Sequence, residues 1–189
     1  MTRQDQTGQL IEKKRLWPAL FWWAVFAAAF GCIEAAVVVY IRRLAGMPPG
    51  MDYRQIWTAR GLSFHSISIL TELRRQGILG VELTREIATL TLLFSAACAA
   101  GRSRIEKAAI FGYTFALWDL TYYLYLAFWI GFPRSLLDTD IYFLILTASY
   151  GPIWLPALVL MPALLALSVG LMRKAGASQP LPGVENPCL

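Results

Sequence analysis

Four stretches of this chain are each long and apolar enough to cross a bilayer, and no other feature limits the fold as strongly. A helix needs about 20 apolar residues to traverse roughly 30 Å of hydrocarbon. The stretches run from about Trp17 to Tyr40, Ile78 to Ala100, Ala108 to Phe132 and Pro152 to Met172. Only 15% of the 189 residues are charged and 57% are hydrophobic, whereas soluble domains carry about a quarter charged residues. The sequence therefore predicts an all-α integral membrane protein, a bundle of four transmembrane helices. Residues 1–16 read as a basic N-terminal tail, 17–172 as one membrane domain, and 173–189, rich in proline, as a disordered C-terminal tail. The apolar core of the first span exceeds an ordinary signal-peptide core and continues past Glu34, so it is read as a retained helix.

Basic residues give a modest orientation signal. Lys13, Lys14, Arg15, Arg102, Arg104, Lys107, Arg173 and Lys174 flank the spans on the side that would be cytoplasmic with both termini inside. The expected location is the plasma membrane, the inner membrane in a bacterium. The first outer loop runs against the rule, with Arg42, Arg43, Arg54, Arg60, Arg74 and Arg75. Such a loop suits an acidic partner, a lipid headgroup or a protein subunit. The net charge of +5 is accounted for by these flanks, so no nucleic acid is implied.

Two segments outside the spans have patterns of their own. Phe64, Ile67, Leu70 and Leu73 recur every three residues, with His65, Ser68, Glu72 and Arg75 on another side. This predicts an amphipathic helix at the interface after the first span. Ile141 to Ser149 are too few to cross, and Gly151-Pro152 follows them. They suit either a short half-helix packed against the bundle or one long helix kinked at Pro152, Pro156 or Pro162. The pattern does not choose between them.

Ionisable groups within the spans are the candidate functional residues, because each costs roughly 2.5–3.5 kcal/mol at the bilayer centre on insertion scales. They are Glu34, Arg85, Glu86 and Asp119, with Glu82 nearer the surface and Tyr122 and Tyr123 one turn beyond Asp119. Helical spacing puts Glu34 on a face with Ala27, Gly31 and Ala35, Glu86 with Glu82, Thr89, Leu93 and Ala97, and Asp119 with Gly112, Ala116 and Tyr123. Three helices can thus present carboxylates to one interior. Arg85 is the sole cation within the spans, so the excess negative charge calls for protons, a metal cation or an arginine folding in from the first loop. Read as structure alone, Arg85 and Glu86 lie near enough to the helix start to reach the interface, and Asp119 suits a neutral packing residue.

Residue counts exclude several classes. One histidine, His65, cannot supply the paired ligands of a b-type haem. Cys32, Cys98 and Cys188 form no CxxC pair, so neither a zinc finger nor a thiol-exchange centre is expected. No motif names a reaction, and whether the chain is an enzyme stays open. The first expectation is a small accessory or assembly subunit of a membrane complex, with a protein partner or a second copy and surrounding lipid as partners. The alternative is a membrane enzyme whose metal is held by Glu34, Glu86, Asp119 and His65. The third is a proton- or cation-coupled carrier in which the carboxylates titrate.

Overall fold

The computed structural model describes residues 3–44, 73–143 and 149–177. In chain order the elements are α1 (Arg3–Leu44), α2 (Leu79–Ala100), α3 (Arg104–Ile130), strands β1 (Thr139–Phe143) and β2 (Ser149–Pro152), a π-helical stretch (Leu155–Leu160) and α4 (Met161–Ala177). Among the described residues three helices are long and apolar enough to cross a membrane: Leu16–Leu44, Leu79–Ala100 and Leu155–Ala175. The protein is thus mostly helical and compatible with an integral membrane location. The fourth long helix, α3, has 27 residues, but its tyrosines, threonines and Asp119 make it less apolar than the others.

Helix ends follow local chemistry. Ser103 caps α3, its hydroxyl accepting from Glu106 N–H at 3.1 Å. The Glu106 carboxylate reaches back to the N–H of Arg102, one residue before the cap, at 2.9 Å, a variant of the capping box. Gly131 closes the helix in the left-handed region, at φ 63°.

Packing between helices depends on small residues, which let their backbones approach closely. Ala27 and Ala35 are fully buried on α1. Between them a side chain at Gly31 would strike the Thr121 hydroxyl and lie 2.8 Å from the Trp118 carbonyl oxygen. At Gly112 a Cβ would come within 2.5 Å of Ser168 Oγ on α4. α3 packs against α1, α2 and α4, and this central place accounts for its composition: polar residues tolerated there face protein. Three apolar layers follow the bundle, around Leu20, Ala97 and Ala109, then Ala27, Leu93 and Trp118, then Ala35, Leu126 and Ile153. Large apolar side chains such as Phe128, 83% exposed, line the outside.

Several expectations need correcting. The segment before the last helix is neither a half-helix nor part of a kinked helix. β1 and β2 pair antiparallel, with Asp140 opposite Gly151 and Ile141 opposite Tyr150. Paired strands satisfy their own backbone groups in a segment too short to span, and Gly151-Pro152 ends the ladder. The last helix consequently starts at Leu155 rather than Pro152, and it starts as a π-helix. Pro162 has no N–H to offer the Leu158 carbonyl, and the Met161 N–H bonds instead to the Pro156 carbonyl, one residue farther than in an α-helix. At the other end of the chain α1 begins at Arg3, so much of the basic tail continues the first helix. Most of the expected interfacial helix, His65, the centre of the arginine-rich loop and the tail beyond Ala177 lie outside the described residues. A helical turn at Leu73–Arg75 leads into α2.

Candidate functional site

The helices and the hairpin line a partly open cavity of about 220 Å³. That is far more than the ~10–15 Å³ one water needs, and just below small-molecule pockets of roughly 300–1,000 Å³. Glu34, Glu82, Arg85, Glu86, Asp119, Tyr122 and Tyr123 all line it. Their common placement has a simple origin. Glu34 is one turn beyond Gly31, at the close α1–α3 contact. Glu82, Glu86 and Thr89 occupy the buried stripe of α2 together with Leu93 and Ala97. Asp119 follows the buried Trp118 on α3, and Tyr123 lies one turn further on.

Arg85 organises the acidic wall. Its Nη1 bonds Glu34 Oε1, its Nη2 bonds Glu82 Oε1, and its Nε donates to Glu82 Oε2 at 2.9 Å. The second Glu34 oxygen accepts from Thr89 Oγ1 at 3.4 Å. Both Glu34 oxygens are therefore committed to protein donors. Arg85 and Glu86 point inward rather than out to the interface.

Asp119 is differently placed. Its Oδ2 is buried and has no hydrogen-bond partner, and the same is true of the neighbouring Trp118 Nε1. A buried orphan acceptor typically costs about 1–3 kcal/mol, and more when charged. Trp118, Phe115, Tyr122 and Tyr123 supply an aromatic side to the cavity, while Leu90, Leu160 and Met161 add aliphatic surface.

The hairpin closes one end. Asp140, Ile141 and Tyr142 line the cavity there with Leu73. Asp140 is 1% exposed. Its Oδ1 faces Arg42 Nη2 at 3.5 Å, and its Oδ2 accepts from the Tyr122 hydroxyl at 3.4 Å. Arg42 also stacks on the Phe132 ring, 3.9 Å from its centroid. Burial pushes the Asp140 carboxyl above the ordinary aspartate range, while Arg42, the Ile141 N–H and the tyrosine hydroxyls pull it back. Sequence reasoning missed Asp140 as a member of the site, and it offered an arginine folding in from the first loop without singling out Arg42 or the acid it meets.

The proposed metal set is not assembled. Among the described residues no group of three or more His, Cys, Asp or Glu converges to hold a metal ion. Glu34, Glu86 and Asp119 share the cavity wall without meeting at one point, and His65 lies outside the described residues. Five carboxylates, counting Asp140, nonetheless stand against the guanidiniums of Arg85 and Arg42. Compared with family models, with curated proteins and with solved structures, the chain matches none, so its functional reading rests on this site.

Proposed function

We propose that the chain is an integral membrane protein in which all four long helices cross the bilayer around a binding site for a positively charged group. Length supports the fourth crossing: at 1.5 Å per residue the 27 residues of α3 extend about 40 Å. Its lower hydropathy is supported by its position among three other helices. Both termini then face the cytoplasm, where Arg102, Arg104, Lys107, Arg173 and Lys174 gather at the end opposite the hairpin.

The observation that carries the functional reading is Asp119, whose buried Oδ2 lacks a partner on the wall of a cavity richer in carboxylates than in guanidiniums. A cation placed there supplies what the protein withholds. This favours a binding or carrier role over a metalloenzyme, since Arg85 and Thr89 already occupy both oxygens of Glu34.

Native mass spectrometry of the full chain, released from mild detergent, tests the reading. The expected result is a small cationic adduct that is absent from Asp119→Asn. A stoichiometric protein partner in place of the adduct would favour the accessory-subunit role. A stoichiometric metal lost on Glu34→Gln would favour the enzyme.

A further inference from the structure

The walls of the cavity differ in kind, and that difference bears on ligand class. Carboxylates of Glu34, Glu82, Glu86 and Asp119 share the lining with aromatic and aliphatic surface from Phe115, Trp118, Leu90, Leu160 and Met161. A hard inorganic cation surrounds itself with about six to eight oxygens. Here Glu34 and Glu82 are engaged by Arg85, and much of the remaining surface has no oxygen to replace lost hydration. A cation with an apolar body meets no such loss, since its charge can lie at a carboxylate and its body against rings and methyl groups. Aromatic faces attract cations in addition, most strongly when desolvated.

The orphan atoms narrow the class further. Asp119 Oδ2 is an acceptor in need of a donor, and Trp118 Nε1–H is a donor in need of an acceptor. A quaternary ammonium has no N–H to give. A primary or secondary amine has, and a hydroxyl or carbonyl on the same molecule would meet Trp118. From the cavity, its two kinds of wall and these adjacent unmet atoms, we propose that the site takes a small organic amine, its ammonium hydrogen-bonded to Asp119 and its apolar body against Phe115, Trp118, Leu90 and Met161. This rests on the reading of the cavity as a cation site and specifies the ligand.

The test uses the full chain in nanodiscs of zwitterionic lipid, with empty nanodiscs subtracted. Benzylamine, N,N,N-trimethylbenzylammonium, sodium and calcium are titrated while tryptophan fluorescence and heat are followed. Benzylamine is expected to bind saturably at one site. The trimethyl compound should bind at least about tenfold more weakly, the equivalent of one lost charge-assisted hydrogen bond. Asp119→Asn should weaken benzylamine by a similar factor. Leu90→Trp, which narrows the cavity and keeps the carboxylate, should weaken benzylamine at least about tenfold even if the Asp119 variant does not fold. Equal affinity for the two organic cations overturns the hydrogen-bond assignment. Binding of sodium or calcium with no response to benzylamine overturns the amine class and leaves the cation site standing. No response to any of the four overturns both.

Discussion

Arg42 and Asp140 meet where α1 ends and the hairpin begins, Nη2 to Oδ1 at 3.5 Å, with 4% and 2% of their side chains exposed. The pair ties the first helix to the segment that precedes the last one, and it does so inside the protein. A guanidinium there is stacked on Phe132 as well as paired, so it contributes packing along with charge.

Removing one member of a buried pair commonly costs about 3–5 kcal/mol, because the other charge is left behind. Arg42→Gln should lose stability on that scale near pH 8. The sign of its pH dependence follows from Asp140. Burial raises the folded-state pKa of that carboxyl, so folding takes up a proton in the window above the ordinary aspartate value. Asp140 therefore contributes less to stability as pH rises through that window, and without Arg42 the decline should steepen and extend upward. Thermal unfolding in detergent at pH 5 and pH 8 checks this; a penalty for Arg42→Gln that is larger at pH 5 contradicts it.

Arg85 serves two carboxylates at once. Replacing it with Met should destabilise the bundle more than Glu34→Gln, and Glu34→Gln more than Glu82→Gln. The first change strands both acids in the cavity, whereas a Gln at position 34 keeps one oxygen for Arg85 and turns its amide nitrogen, a donor, to the Thr89 hydroxyl. The order of melting temperatures in one detergent is the measurement, and a most stable Arg85 variant would refute the arrangement.

Two glycines on the long helices should respond oppositely to the same substitution. Gly112→Ala forces a methyl group into Ser168, and overpacking of this kind costs about 1–3 kcal/mol. Gly170→Ala meets nothing within 4 Å and should be neutral or stabilising by up to about 1 kcal/mol, since alanine is the better helix former. Chemical denaturation of the two variants side by side distinguishes them.

Within the hairpin, the Tyr142 hydroxyl donates to the Pro152 carbonyl at 2.7 Å. Tyr142→Phe should cost about 0.5–1.5 kcal/mol and accelerate amide exchange in the two strands, with α2 unaffected. Uniform exchange across the protein would place the hydrogen bond's influence elsewhere.

The parts of the molecule legible from the amino acids are those governed by helical period. Glu34, Glu86 and Asp119 could be assigned to inward faces because small residues recur with them, and a helix buries a stripe, not a single position. Asp140 could not be found in this way. Its partner Arg42 is distant in the chain, and a short apolar run such as Ile141 to Ser149 fits a buried strand and a helical fragment equally well by periodicity alone. The roles of Arg85 and Arg42 were also hidden, because a long side chain near a helix end can turn to water or inward, and only the position of its acids decides which. Asp119 was visible as a buried acid, but the lack of a donor near it depends on every neighbouring helix.

The π-helical stretch has a consequence for how this chain can tolerate change in length. From Leu155 to Leu160 the backbone carries more residues per turn than an α-helix. Deleting one of them would let the stretch relax to α geometry while its two ends keep nearly the same rotation about the axis of α4, because the wider turn has already absorbed about one extra residue. The hairpin would keep its facing and Asp140 its place beside Arg42, whereas the same deletion in the regular part of α4 would turn everything before it by about 100°. Leu155–Leu160 is therefore where this helix can lose a residue with least disturbance to the cavity.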